Sequence, residues 1–355
     1  MRSSLSSRAP ARRLVDVVRQ AGGIHAQVQA SAELQLAARI DGITQQDIRD
    51  ALWRDRTLVK AWTLRGTLHL HPADELALWF AARRAVSGEP GGLPAWPDPN
   101  GVVHRAVTAD ELIKIRDAVW EALDGRTLLR EELMDDVVSR VGSKHDARLR
   151  AGFAFFTDAL CQGPPQGSKV TFARPDQWIK GWKEVSDEAD ALREVCRRYL
   201  HAYGPARPAD FRSWFGQADF EALDTQEVSV AGRRAFVLAG DTTFPEVEPS
   251  VRLLPEYDVY VMGSREREQL VPEPVRKQVA AHGRGRYEGA AGVRFLVVDG
   301  VAAGLWERKK TAKRIGLTVR PSGKLTRAQR AELDVEVERI GAFLALEPVL
   351  TLEGQ

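Results

Sequence analysis

Residues 108–140 read TADELIKIRDAVWEALDGRTLLREELMDDVVSR, and residues 160–174 read LCQGPPQGSKVTFAR. In the first stretch Leu112, Ile115, Val119 and Leu123 recur at spacings of three and four, the period of one helical face. Thr108 stands where an N-cap belongs, and Asp124-Gly125 ends the helix. Thr127 is placed to cap a second helix, LLREELMDDVVSR, and a third is expected over about 145–161. The second stretch reads as two short strands around a Pro/Gly tip. Helix, short turn, helix, helix and β-hairpin is the order of a winged helix.

The same order recurs downstream. Leu192, Val195, Cys196, Tyr199, Leu200 and Tyr203 keep helical spacing from Asp187 to Gly204. Pro208 opens a helix in ADFRSWFG, a short helix is expected at about 217–224, and EVSVAGRRAFVLAG reads as strand, glycine turn, strand. Upstream, helices are predicted at about 9–21 and 29–40, Thr44 with Asp47 resembles a capping box before IRDALWRD, and TLHLH reads as a strand. Two connectors separate these segments: GEPGGLPAWPDPNG at 88–101 and DTTFPEVEPS at 241–250.

Residues 251–355 differ. RLLPEYDVYVMG, VRFLVVDG and GLWERKK read as strands, and Asp299-Gly300 between apolar runs signals a hairpin. A helix at about 325–344 precedes a last strand, PVLTLE. The expected fold is therefore α+β. It has three tandem winged-helix units at 1–87, 102–182 and 186–245, and a small C-terminal α/β domain at 251–355.

Composition narrows the function classes. The 44% hydrophobic and 28% charged content is that of a globular chain, and no apolar run approaches the roughly 20 residues of a membrane span. Cys161 and Cys196 are too few for a disulfide framework and read as buried thiols, which points to the cytoplasm. Net charge is +2, but residues 276–314 carry ten Lys/Arg against three acids, and residues 217–250 carry seven acids against Arg233 and Arg234. A polyanion would meet the first stretch and avoid the second. With winged helices, that makes double-stranded DNA the expected partner.

Candidate chemistry is sparse. HGRGRYEG lacks the GxGxxG spacing and no helix follows it, so no nucleotide cofactor is expected. His69 and His71 point the same way in a strand, but no Cys, Asp or Glu completes a zinc set. They read as polar strand residues at a surface, with His69 able to face DNA. No nucleophile elbow is present. What remains is Gln27-Val28-Gln29, just after the helix-breaking Gly22-Gly23. In an extended or irregular segment the two carboxamides project to one side; in a regular helix they diverge. They are either two ordinary polar residues or a pair able to orient a water, which they cannot efficiently deprotonate.

The Gln-apolar-Gln motif resembles the AlkZ-like and YcaQ-like bacterial DNA glycosylases. So do LRGTLHLHP at 64–72, HAYGPARPADF at 201–211, LLPEYD at 253–258 and VVDGVAAGLWERK at 297–309. The resemblance spans about residues 10–350. It implies a monofunctional glycosylase that excises N7-alkylated guanine from duplex DNA, with Gln27 and Gln29 positioning the water. Gln29 stands where YcaQ-like members carry a carboxylate. It also implies a C-shaped arrangement of winged helices, and a C-terminal hairpin that probes the minor groove. That hairpin is expected at 282–292, with Arg284, Arg286 and Tyr287, or at the Asp299-Gly300 turn. Arg65, Lys309, Lys310 and Arg314 are expected phosphate contacts. No cofactor is called for, and a monomer near the nucleoid is expected. The rival reading is a winged-helix regulator without catalysis, which would need neither glutamine.

Overall fold

The computed structural model describes residues 7–354 apart from 89–90, 98–100, 152–157, 218–219, 244–247, 264–266 and 282–291. Gly22 and Gly23, at φ +67° and +101°, occupy the left-handed region that glycine enters without strain, and they end helix α1 (Leu14–Gln20). A two-residue strand, Ile24–His25, and a bend lead to α2 (Gln29–Ala37). This helix is not amphipathic: every residue from Ser31 to Ala37 is buried, Glu33 and Gln35 included. Helix α3 (Gln45–Trp53) begins at the reciprocal cap that the spacing predicts. Asp47 Oδ2 accepts from Thr44 N at 2.8 Å, and Thr44 Oγ1 from Asp47 N at 3.1 Å.

Strands β1 (Leu58–Trp62) and β2 (Leu68–Pro72) pair antiparallel, and α4 (Leu76–Ser87) follows. Beyond the Pro/Gly segment, α5 (Ala109–Ala122) opens on a capping box. Glu111 N donates to Thr108 Oγ1 at 3.3 Å, and Thr108 N to Glu111 Oε2 at 3.1 Å. Helix α6 (Arg130–Val141) is not capped by Thr127. Leu128 and Leu129 instead add a short strand beside Thr171 and Phe172, so the helix starts at Arg130, and Glu132 accepts from Leu129 N at 2.8 Å. Helix α7 (Asp146–Ala151), β3 (Cys161–Gln166) and β4 (Lys169–Ala173) complete this stretch. Of the helix expected over 145–161, residues 152–157 lie outside the described residues and Cys161 is already strand. Ile115, Val119, Leu133, Val137, Leu149 and Phe172 form the core.

Helix α8 (Glu188–Tyr203) and α9 (Pro208–Trp214) pack Tyr199, Phe211, Trp214 and Phe215 into an aromatic cluster closed by Phe220. No helix forms at 220–224, where the chain makes bends and turns; residues 218–219 lie outside the described residues. The hairpin β5 (Thr225–Val230) and β6 (Arg233–Leu238) turns at Ala231-Gly232, both at positive φ.

Strand β7 (Val251–Leu254) ends earlier than its apolar run suggests. Pro255 cannot donate to a ladder, Tyr257 takes φ +62°, and Asp258 caps a short helix, α10 (Val259–Met262), by accepting from Tyr260 N at 2.8 Å. Helix α11 (Glu273–Ala281), β8 (Phe295–Val298), β9 (Val301–Lys310), β10 (Arg314–Pro321), α12 (Arg327–Leu344) and β11 (Glu347–Leu352) follow. The sheet order is β7-β8-β9-β10-β11. Every pair is antiparallel except β10–β11, where α12 supplies the crossover that parallel strands require. Asp299 and Gly300, at φ +49° and +81°, make the expected tight turn.

The chain divides into two compact units, residues 1–49 with 196–355, and residues 50–195. The divisions fall inside α3 and α8. The segment expected as a first winged helix, 1–87, is thus shared between units. No described helix is long and apolar enough to cross a membrane.

One capping carboxylate gives the second unit a pH signature. Glu111 receives Lys144 Nζ at 2.9 Å, the Thr108 amide, and Arg105, and these bonds hold its carboxyl down at about 2. A carboxyl lowered in the folded state adds stability above its ordinary value near 4.5 and loses it as pH falls through about 2. The melting temperature of wild type is therefore expected to exceed that of Glu111→Gln at pH 6, with the gap closing between about pH 4.5 and 2. A gap unchanged by acid would refute the assignment.

Candidate active site

Val28 has φ −111° and ψ 109°, extended backbone, while its carbonyl already accepts from Ser31 N at 3.0 Å and Ala32 N at 3.1 Å. The residue is the N-cap of α2, and it supplies no side-chain cap. Gln27 therefore lies in the bend before the helix and Gln29 is its first helical residue. A continuous helix would have separated the two carboxamides; the break at Val28 does not impose that divergence. Gln27 is exposed and Gln29 half-exposed, at the point where an otherwise buried helix reaches the surface.

The buried part of α2 is held by polar anchors. Gln35 Nε2 donates to His25 O at 3.0 Å, and its Oε1 accepts from Val259 N at 3.2 Å. Ser31 Oγ donates to Glu256 O. Arg39 reaches Asp258 through two bonds, Nη2 to Oδ1 at 2.6 Å and Nη1 to Oδ2 at 2.9 Å, with both side chains inaccessible to solvent. Arg8, Arg39 and Arg339 donate to the carbonyls of Ala38, Gln35 and Ala37, satisfying C-terminal acceptors of the helix, and Arg339 also reaches Ile40 O just beyond it.

The partner segment, 254–258, is pinned from its far side. Trp306 Nε1 donates to Leu254 O at 2.8 Å. Arg294 forks onto Glu256 at 2.6 and 3.1 Å, with Arg308 at 3.7 Å. Burial, the largest single influence, raises the Glu256 carboxyl, but the Arg294 bonds, a backbone hydrogen bond and the charges of Arg294 and Arg308 together hold it below its ordinary range. Tyr257, whose φ of +62° is strained for a residue with a side chain, packs its ring 5.2 Å from His25. Tyr203 Oη donates to Ala21 O at 2.7 Å, and Tyr199 Oη to Gly263 O at 3.0 Å, tying α8 to both sides of the site. A Cβ on Gly263 would overlap the Tyr203 ring, so glycine is required there.

The other predicted contacts are scattered. Arg65 is exposed at the turn between β1 and β2, in the left-handed conformation at φ +51°. His69 is not at a surface: it is 2% exposed, with Nδ1 on Thr67 O at 3.0 Å. His71 is equally interior, with Nε2 2.8 Å from Thr63 Oγ1 and its ring 4.4 Å from Trp79. Their alternation with Leu70 aims both inward, where β2 is buried along its whole length. Arg284, Arg286 and Tyr287 lie outside the described residues. Lys309, Lys310 and Arg314 are exposed, Arg314 being paired with Glu347 at 2.8 Å. Among the described residues no group of three or more His, Cys, Asp or Glu is placed to hold a metal.

Lys309, Lys310 and Arg314 share one feature that sequence reading missed. They flank the tip of the β9–β10 hairpin, closed by Thr311 N on Arg314 O at 2.9 Å, and Lys313 is exposed beside them. The alternating Ile315, Leu317 and Val319, all buried, were the available signal for β10. Glu33, Arg39 and Asp258 were also missed, because a lone polar residue in an apolar run carries no period.

The model of the family described as "DNA glycosylase AlkZ-like" matches residues 18–343. The chain belongs to the AlkZ-like family of DNA glycosylases. This AlkZ-like glycosylase is 31% identical over 320 residues to the interstrand DNA cross-link repair glycosylase of Streptomyces sahachiroi, covering 82% of this chain and 81% of that protein. The solved structure of the Streptomyces sahachiroi DNA glycosylase AlkZ superposes with a TM-score of 0.79 at 26% identity, over 99% of this chain and 96% of that one. The α+β fold expected from sequence is the one found, and the choice between enzyme and regulator falls to the enzyme.

The Arg39–Asp258 pair gives the site a test of its own. Arg39→Met leaves the Asp258 carboxylate buried without its counter-charge, at an expected cost of about 3–5 kcal/mol in urea unfolding. Adding Asp258→Leu removes the stranded charge and recovers most of that loss. A double variant no more stable than Arg39→Met would refute the pair as the source.

Proposed function

We propose that this AlkZ-like glycosylase hydrolyses the N-glycosidic bond of N7-alkylated guanine in duplex DNA. The class includes bulky adducts and interstrand cross-links, and Gln27 and Gln29 hold the attacking water. The observation that carries the proposal is the helix start at Val28, which presents two carboxamides at the exposed end of a helix anchored along its whole buried length.

A site without a strong base suits this substrate. Alkylation at N7 places positive charge on guanine. When C1′–N9 breaks, the electron pair passes to the base and neutralises it, so no acid is needed to assist departure. The oxygen of the held water bonds to C1′, its proton passes to solvent, and the products are free alkylated base and an abasic site. The protein supplies orientation of the water and stabilisation of developing charge. Neutral damaged bases lack the intrinsic driving force, and little excision of them is expected. Nothing in this route forms a covalent enzyme intermediate, so the proposal is a monofunctional glycosylase; it is proposed to act as a monomer because tandem units supply the multiple contacts that a dimer gains by symmetry.

The cross-link repair name of the Streptomyces sahachiroi relative supports the substrate class. The basic tip of the β9–β10 hairpin supports contact with a phosphate backbone, Lys309, Lys310 and Lys313 being exposed together. Arg65, exposed on its own turn, is a further proposed contact. His69 is not retained, since its ring is engaged inside the unit.

The deciding experiment follows release of free base from two duplexes, one carrying N7-methylguanine and one an N7-linked interstrand cross-link. Wild type releases base from at least one of them well above the spontaneous rate. Gln27→Ala and Gln29→Ala each lower the single-turnover rate on the order of 10²-fold. No release from either duplex overturns the substrate class, and release untouched by both variants overturns the two-glutamine site. Separately, replacing Lys309, Lys310 and Lys313 by alanine should flatten the slope of log K against log salt by about 0.9 for each phosphate no longer neutralised. An unchanged slope removes the hairpin tip from the DNA interface.

A further inference from the structure

Glu33 lies one helical turn after Gln29, on the same face of α2, and is 2% exposed. Among the described residues its carboxylate receives three donors. Gln45 Nε2 reaches Oε2 at 2.5 Å, Arg49 Nε reaches Oε1 at 3.4 Å, and Gln29 Nε2 reaches Oε1 at 3.3 Å. Gln45 and Arg49 lie on α3, and the hydrogen bond and the charge they offer suit a carboxylate withdrawn from water. The bond from Gln29 has a different consequence, because a carboxamide has two unlike ends: its NH2 only donates, and its oxygen only accepts. A carboxylate has no hydrogen to give. Whichever way the Gln29 amide is drawn, the end that faces Glu33 has to be the NH2, and Oε1 is turned away from it.

We propose that Glu33 is a positioning residue that fixes the Gln29 amide so that its carbonyl oxygen, not its NH2, is offered to the water. This rests on the water-holding role of Gln29 given above. The distinction matters for attack at C1′. An acceptor takes one of the water's hydrogens and leaves an oxygen lone pair to form the new C–O bond. A donor would occupy that lone pair and hold the water in an unreactive orientation. Glu33 thus decides which of two amide orientations is populated, without touching the nucleotide itself.

The test uses the full chain and whichever of the two duplexes wild type cleaves faster. Glu33→Gln keeps the shape of the side chain but brings an NH2 of its own, which lets the Gln29 amide turn over. Its single-turnover rate is expected to fall at least tenfold. Affinity for the same duplex carrying an abasic-site analogue should stay within about twofold. In a Gln29→Glu background, where both ends of residue 29 accept, Glu33→Gln should cause no loss and should relieve the repulsion between two neighbouring carboxylates. Glu33→Asp keeps the negative charge on α2 but draws the carboxylate back from Gln29 and its other donors, and is expected to show the same dependence on residue 29 should Glu33→Gln fold poorly. A wild-type rate in Glu33→Gln, or an equal loss in both backgrounds, overturns the positioning role. If Gln29→Ala is itself as fast as wild type, the water-holding reading fails and this one with it. If Gln29→Ala is slow but Glu33→Gln is not, only the role of Glu33 falls.

Discussion

Arg39 and Asp258 are fully buried and bound to each other through two hydrogen bonds, and the geometry of the site depends on that pair. Neither charge has water to solvate it, so each must keep the other. Asp258 also caps α10, and Arg39 also satisfies a carbonyl of α2. The pair therefore fixes two helices against each other by their termini. Its planar, two-pronged geometry allows little sliding or rotation. Ser31 and Gln35 add polar contacts along the same seam, one to Glu256 O and one to Val259 N. A purely apolar seam of equal area would tolerate small shifts. This one specifies where the first turn of α2, and with it Gln29, emerges.

Sequence segments that look unrelated turn out to be the parts of that seam. LLPEYD supplies the backbone acceptors and the buried aspartate; VVDGVAAGLWERK supplies Trp306 and Arg308, which hold LLPEYD from behind. HAYGPARPADF supplies Tyr203, which reaches the end of α1. None of these residues has chemistry of its own to offer a nucleotide in the route proposed. Their common property is that each closes a hydrogen bond or an ion pair on the segment carrying the glutamines or on the segment that braces it.

What could be read in advance follows from range. Thr108 and Glu111, Thr44 and Asp47, and the Asp299-Gly300 turn act over two to four residues, and their spacing alone announces them. The aromatic and aliphatic stripe of α8 was legible because that helix keeps one face in solvent. Helix α2 has no wet face over most of its length, so its period says nothing, and its polar residues look misplaced until their partners are known. The run 252–263 reads as a strand because its apolar content is that of one; Pro255 and the cap at Asp258 cut it short. His69 misleads for the opposite reason. Alternation with Leu70 is a surface pattern only where one face is wet, and β2 is buried on both. Gln27 and Gln29, finally, carry no signal of their own beyond their spacing; the resemblance to the AlkZ-like and YcaQ-like motif is what singles them out.

The unit that holds the glutamines is assembled from residues 1–49 and 196–355, with residues 50–195 intervening. Ser31 and Glu256 lie 225 positions apart in the chain, and Arg39 and Asp258 lie 219 apart. On a translating ribosome at about 5–20 residues per second, the first helices wait on the order of ten to forty seconds for the strands that cover them. During that wait α2 has an exposed apolar surface, and Arg39 lacks the carboxylate it is buried against in the finished fold, while the inserted unit can already close on itself. The segment carrying Gln27 and Gln29 thus acquires its bracing only late in synthesis, and a chain released early would carry the two glutamines with nothing to hold them in place.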